Sequence, residues 1–542
     1  MSTETTLLSV QNLSIPLEAG GDRQYAVQEV SFEVHAGEIL CIVGESGSGK
    51  SMSANAIMGL LPPYLRPNQG KILFRGQDLL HSTPAQLRDM RGKDIAMVFQ
   101  EPMSALNPLM TVGAQVYEVM EVHQVLTPQE RRQRVLELFE FVGLPDPEQL
   151  YHTHPFRLSG GQRQRVMIAI ALALEPALLI ADEPTTALDV TTQAQILELI
   201  AKIQQTKNMG VIFVTHDFGV VAEIADRVAV MEKGLLVEQG SAEQVLKNPQ
   251  HPYTQSLIAA VPHLRAEAHE CKQAEDIVLE VRNLRKTYVT GKTWLGQSRL
   301  VKAVDGVNLT VRRGETLGIV GESGSGKSTI GKCLLRLISI DEGEIVFQGK
   351  NIADYSQKQL RPIRRHLQMI FQDPYSSLNP RQTIGQSICD GPLAYGADRR
   401  STEARARELL ELVGLDPSSF NRYPNQFSGG QRQRIGIARA LALNPSLIVA
   451  DESVSALDVS VQAQVLTLLQ SLQEQLQIGI IFITHDLRVA SQLCHSIAVM
   501  HQGKIVEYGK PTEIFQRPES SYTQKLVQAI PGKQWEPQAQ LA

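Results

Sequence analysis

A chain of 542 residues exceeds what one hydrophobic core supports, so two or more domains are expected. Charged residues make up 20% and the net charge is −5, an ordinary globular balance with no basic excess to hold nucleic acid. Cys41, Cys271, Cys333, Cys389 and Cys494 are scattered without a C-x-x-C pair, so no zinc site, iron–sulfur cluster or disulfide framework is indicated.

Residues Met1–Leu13 lack a cationic start followed by an apolar stretch, so no signal peptide is expected. The longest apolar candidate, Val166–Ala181, is interrupted by Glu175-Pro176 and falls short of the ~20 residues of a membrane span. The expectation is a cytosolic chain whose membrane role, if any, comes through partners.

In chain order, the first element to carry chemistry is the β-branched strand Glu38–Val43. It runs into Gly44-Glu45-Ser46-Gly47-Ser48-Gly49-Lys50-Ser51, which fits G-x-x-x-x-G-K-[ST]. The glycines permit a tight turn whose N–H groups point at phosphate oxygens, and the following helix adds its positive end. Lys50 can reach the β- and γ-phosphates, and the Ser51 hydroxyl can ligate Mg²⁺. Gln100 ends the apolar run Ile95–Phe99, and its amide can contact a metal or a nucleophilic water. Ser159-Gly160-Gly161-Gln162 is a glycine-rich turn opening a helix, a second anion-binding N-terminus. The strand Leu178–Ala181 ends in Asp182, which can hold Mg²⁺, and Glu183, which can polarise an attacking water. A helix over Thr192–Gln205 follows. The strand Val211–Thr215 then precedes His216, placed to contact a γ-phosphate or the water.

The whole series then recurs. Leu8-Ser-Val-Gln-Asn-Leu13 resembles Leu279-Glu-Val-Arg-Asn-Leu284. After the apolar run Leu317–Val320 the loop returns letter for letter as Gly321-Glu322-Ser323-Gly324-Ser325-Gly326-Lys327-Ser328, followed by Gln372, Ser428-Gly429-Gly430-Gln431, Asp451-Glu452, a helix over Gln462–Gln477, and His485. Lys50 and Lys327 are 277 residues apart, Gln100 and Gln372 are 272 apart, and Asp182 and Asp451 are 269 apart. Such small indels belong in surface loops, and so long a period means domain duplication rather than a stacked repeat. The domains expected are 1–265 and 277–532, with a short charged linker at 266–276 and a tail at 533–542. Strands alternating with helices imply an α/β fold with a mostly parallel sheet and chemistry at the carboxyl ends of its strands.

Taken in order, the phosphate loop, Gln100, Leu158-Ser-Gly-Gly-Gln162, Asp182-Glu183, Ala187-Leu-Asp189 and His216 resemble the ATP-binding cassette (ABC) ATPases over essentially the whole chain, twice. The resemblance implies two tandem P-loop NTPase (ABC ATPase) domains. Each would have a mostly parallel RecA-like sheet, an antiparallel β subdomain and a helical subdomain. It implies ATP and Mg²⁺ as cofactors and two ATP molecules held head to tail between the halves. One site would pair Lys50, Ser51, Gln100, Asp182, Glu183 and His216 with Ser428, Gly430 and Asp458. The other would pair Lys327, Ser328, Gln372, Asp451, Glu452 and His485 with Ser159, Gly161 and Asp189. Magnesium would be held by Ser51, Gln100 and Asp182, and by Ser328, Gln372 and Asp451. Tyr288 matches the family's adenine-stacking aromatic; Leu17 stands at the equivalent position of the first half.

The Gly-Glu-Ser-Gly-Ser-Gly-Lys loops look like the ATPases of bacterial peptide importers, and so do the Ser-x-Leu-Asn-Pro stretches after both glutamines. The tails His251-Pro-Tyr-Thr-Gln-Ser-Leu257 and Ser521-Tyr-Thr-Gln-Lys-Leu526 point the same way. A fused pair is similar to the twin-cassette ATPases of microcin C and oligopeptide importers. That implies two integral membrane permeases as partners, a periplasmic peptide-binding protein acting indirectly, and a peripheral place on the cytoplasmic face of the bacterial inner membrane. The rival readings are a sugar-importer twin ATPase and a soluble twin-cassette protein acting on ribosomes or DNA. The second usually carries a long charged linker or a basic insertion, which this chain lacks. Phe427 in place of leucine and Ser453 in place of proline depart from the family pattern.

Overall fold

The computed structural model describes residues 6–17, 23–186, 188–262, 264, 276–292, 298–373, 375–455 and 457–535, with the side chains of 290–292, 298 and 299 excepted. Residues 266–275 of the expected linker (266–276) and most of the expected tail lie outside the described residues, as does Cys271. The chain separates into two units, the first mainly Met1–Leu188 with Thr192–Val261, the second mainly Pro262–Ile530.

In the first unit, Ile39–Val43 is apolar at every position and wholly buried, the pattern of a strand covered on both faces. It lies between Gly210–Thr215 and Arg227–Glu232, parallel to both. Leu178–Asp182 and Ile95–Val98 extend the sheet in parallel, and Leu235–Ser241 closes the other edge antiparallel. A second sheet is antiparallel, with Thr6–Pro16 between Tyr25–His35 and Gln69–Phe74. Leu8, Leu40, Ile57, Ile180 and Val214 belong to the apolar core shared by these sheets and the helix Lys50–Ile57. The helices Val112–Val122, Pro128–Phe141 and Gly160–Ala171 pack on one another as a helical layer.

The second unit repeats this plan. Thr316–Val320 lies parallel between Gly479–Thr484 and Ser496–His501; Leu447–Asp451 and Leu367–Ile370 continue the sheet. Its antiparallel sheet is built on the long strands Ile277–Lys292 and Ser298–Arg312. The helical layer is Ile384–Ala394, Arg399–Leu412 and Gly429–Leu441. The predicted helices are slightly longer than expected, at Val190–Lys207 and Val459–Leu476.

Candidate functional site

The first loop leaves its strand through Gly44, whose φ is 151°; a Cβ there would stand 2.2 Å from the Met231 carbonyl oxygen. Gly49, at φ 105°, would place a Cβ 2.7 Å from the Ala26 carbonyl oxygen, so both positions exclude any side chain. Lys50 opens the helix Lys50–Ile57, and its ammonium is buried. It donates to the carbonyls of Gly44 (2.7 Å) and Glu45 (3.0 Å), curled into the loop's own backbone. The neighbouring Ser51 hydroxyl donates to Asp182 at 2.9 Å. Asp182 ends its strand 5% exposed, and burial raises its carboxyl above the usual range, with Glu183 adding to the rise and Ser51 opposing it.

Glu183 turns the chain away from the strand at φ 45°, a left-handed conformation that costs a non-glycine residue ~1–2 kcal/mol. Its N–H is held by the Val214 carbonyl at 3.0 Å. Its carboxylate accepts from Gln100 Nε2 at 2.9 Å and Thr186 Oγ1 at 3.0 Å, and His216 Nδ1 stands 3.5 Å away. Burial pushes this carboxyl upward, but His216, Lys50 and Thr186 outweigh it and lower it to about 2. Glu183 is therefore an ionised base next to a more weakly acidic Asp182.

The second unit reproduces this arrangement. Lys327 donates to Gly321 (2.7 Å) and Glu322 (2.8 Å), and Ser328 to Asp451 (3.0 Å). Glu452, at φ 44°, accepts from Gln372 at 2.6 Å and lies 3.5 Å from His485 Nδ1. Asp451 is raised chiefly by burial, and Glu452 is lowered because His485 and Lys327 outweigh burial. Lys327 is lowered, again chiefly by burial.

Each unit thus gathers its loop, glutamine, carboxylate pair and histidine at the carboxyl ends of its parallel strands. The Ser159 and Ser428 turns stand elsewhere, at the N-termini of Gly160–Ala171 and Gly429–Leu441. In each, the serine accepts from the glutamine N–H (3.2 and 3.3 Å) while the glutamine side chain accepts from the serine N–H (3.0 Å). Tyr288 lies on strand Ile277–Lys292 opposite Val301, 39% exposed, whereas Leu17 packs against the core.

The donor set suits ATP with Mg²⁺. Among the described residues, the buried Ser48 and Ser325 hydroxyls find no hydrogen-bond partner, as expected of groups that meet a ligand. No cluster of three or more His, Cys, Asp and Glu able to hold a metal occurs among the described residues. A hard cation here would rest on one carboxylate, one hydroxyl, phosphate oxygens and water, which is how Mg²⁺ is usually bound.

Sequence reasoning passed over three further loop contacts. The Arg23 guanidinium donates to the Gly47 carbonyl. The hydroxyls of Tyr253 and Tyr522 accept the N–H of Glu45 and Glu322 at 3.2 and 3.1 Å. The signal for the last two was the repeated Tyr-Thr tail, which pointed to a subfamily rather than to the site.

Residues 27–186 and 304–455 match the ABC transporter family, and residues 237–294 and 506–540 match the C-terminal region of oligopeptide/dipeptide transporters. The peptidoglycan transport ATP-binding protein YejF of Agrobacterium fabrum is 50% identical, over 96% of each chain. The glutathione import ATP-binding protein GsiA of Escherichia coli O157:H7 is 48% identical, over 97% of this chain and 89% of its own. A solved dimeric ATP-binding cassette bound to ADP and Pi aligns with 43% of this chain and 98% of its own, at 31% identity and a TM-score of 0.39.

Proposed function

The chain belongs to the ABC transporter family, and from that membership we propose that it drives the import of peptides or peptide-like compounds of the microcin C type. It is an ATPase, the energy-coupling subunit of an importer that works with membrane permeases. What carries the peptide reading is the C-terminal match to oligopeptide/dipeptide transporters, which occurs once in each half. No helix among the described residues is long and apolar enough to cross a membrane. The proposal therefore gives the chain two integral permease partners, a periplasmic binding protein delivering the substrate, and a peripheral position at the inner membrane.

We further propose that the domains are 1–265 and 277–532 and that they pair head to tail. Gly44–Ser51 with Asp182, Glu183, Gln100 and His216 would be completed by Ser428–Gln431, and Gly321–Ser328 with its carboxylates by Ser159–Gln162. The loop N–H groups and Lys50 would bind the phosphates once the ammonium leaves the carbonyls that now hold it. Ser51, Asp182 and Gln100 would hold Mg²⁺, which supplies charge neutralisation at the phosphates when bound. Glu183, ionised and oriented by His216, would accept the proton of the attacking water. Gln100 must let go of Glu183 to reach the metal, which couples nucleotide arrival to release of the base. Tyr288 would stack on adenine in the second half.

Exposed apolar side chains after each glutamine support permease docking. They are Met103 (51% exposed) and Leu109 (86%) in the first unit, and Tyr375 (64%) in the second. The test is purification of the tagged chain from detergent-solubilised membranes. Integral membrane proteins should co-purify, and peptide uptake should need both permeases. Recovery with ribosomes and without integral membrane proteins would sink the importer reading.

A further inference from the structure

We propose that Tyr253 and Tyr522 are positioning residues of the two ATP sites, each holding one peptide unit of its phosphate loop in place while the loop lysine is released to the nucleotide. The inference rests on the reading of Gly44–Ser51 and Gly321–Ser328 as ATP sites.

The peptide between Gly44 and Glu45 is gripped from both sides. Its carbonyl accepts from Lys50 at 2.7 Å and its N–H donates to the Tyr253 hydroxyl at 3.2 Å. The second unit repeats the grip, with Lys327 at 2.7 Å on the Gly321 carbonyl and Tyr522 at 3.1 Å on the Glu322 N–H. When the lysine turns to phosphate, the carbonyl side is freed. The phenol then remains as the fixed point of a glycine-rich segment that is otherwise costly to order.

Each tyrosine is itself built in. It lies in the first turn of a short helix, Pro252–Ala259 or Ser521–Gln528. A strand carboxylate holds the backbone leading into that helix. Glu238 accepts from the N–H groups of Gln250 (2.8 Å) and His251 (3.1 Å), and Glu507 from those of Glu519 (2.9 Å) and Ser520 (3.0 Å). The Tyr522 ring also stacks on His501, centroids 3.9 Å apart and planes 8° from parallel. Burial pushes its phenol up to about 12, so it stays neutral at physiological pH. A strand carboxylate, a helix start and a phenol thus recur in sequence in both halves, ending each time on the same loop peptide.

The experiment compares the full chain with Y253F, Y522F and the double variant, which keep the ring and remove the acceptor. Thermal unfolding, equilibrium binding of ADP, and the KM and kcat of ATP hydrolysis are measured on each. The expected result is a KM for ATP and a Kd for ADP raised about three- to ten-fold in the double variant, as loss of one neutral hydrogen bond per site predicts. The kcat should stay within about twofold, because ground-state and transition-state binding weaken equally, and the melting temperature should fall by no more than a few degrees. Unchanged KM and Kd would overturn the proposal, and so would a fall in kcat alone. If the double variant fails to fold, E238Q with E507Q loosens the same helix starts and should raise KM without lowering kcat; unchanged KM there overturns it too. K50A with K327A serves as the control. If ADP binding survives in that variant, the assignment of the loops themselves fails, whereas its loss beside unaltered phenylalanine variants faults the tyrosines alone.

Discussion

At the scale of single residues, the site turns on two adjacent carboxylates that their surroundings push in opposite directions. Asp182 is raised by burial, while Glu183, somewhat less buried, is lowered to about 2 by His216, Lys50 and Thr186. Hence Glu183→Gln and Glu452→Gln should each cut ATP turnover by about 10²-fold or more at the altered site, the usual scale for removing a general base. Steady-state hydrolysis by the two single variants and the double variant checks this, and a single variant with wild-type turnover would refute two active sites. The same shift has a consequence for stability. Glu183 has a folded pKa below its unfolded one, so its contribution is present above pH ~4.5 and is lost as the pH falls toward 2. Denaturation of wild type and E183Q from pH 7 to pH 3 should therefore show a gap that narrows on acidification; a constant gap contradicts the assignment. The identities of Lys50, Ser51, Asp182, Glu183 and His216 were all legible in sequence, because their spacing is set by strands and turns. Their hydrogen bonds were not. Nothing local announces that the Gln100 amide rests on Glu183, 83 residues away, or that Lys50 is folded back on its own loop.

At the scale of elements, the loops depend on what packs beside them. Gly44 and Gly321 leave their strands at φ 151° and 150°, each with a virtual Cβ 2.2 Å from a backbone carbonyl, Met231 or Met500. Backbone cannot yield as a side-chain tip does, so Gly44→Ala or Gly321→Ala should displace the loop and abolish nucleotide binding at that site. Gly47→Ala meets open space and should perturb binding far less, though its φ of 76° still costs roughly 1 kcal/mol. Equilibrium titration with ADP separates the two; equal losses would argue against the packing account. The strand order of each parallel sheet, with Ile39–Val43 between Gly210–Thr215 and Arg227–Glu232, brings Lys50, Asp182 and His216 to one sheet end. Alternation of strands and helices implied such a sheet. The order of strands within it depends on which apolar faces meet, and no single segment carries that information. The Ser159 and Ser428 capping boxes, by contrast, are local, and their Ser-Gly-Gly-Gln spelling is enough to predict them.

At the scale of the whole molecule, duplication gives two matches to the ABC transporter family and two oligopeptide-type C-terminal regions in one chain. Replacing exposed Leu109 by Asp should leave basal ATP hydrolysis within about twofold and should weaken permease co-purification and peptide uptake, since an 86% exposed side chain contributes little to its own fold. Loss of hydrolysis together with uptake would show instead that the residue supports the catalytic unit. By itself the sequence determined the repeat, the α/β character, the phosphate loops with their carboxylates, glutamines and histidines, and the resemblance to peptide-importer ATPases. These rest on short-range patterns: glycines spaced as a phosphate loop needs them, apolar runs for buried strands, a glycine-rich turn opening a helix. Only the tertiary structure decided that Tyr253 and Tyr522 meet their loops across 208 and 200 residues of chain, that Glu183 and Glu452 sit in strained backbone under a histidine, and that adjacent carboxylates differ in acidity. Those features come from burial and from hydrogen bonds between distant segments, which exist only once the chain has closed around them.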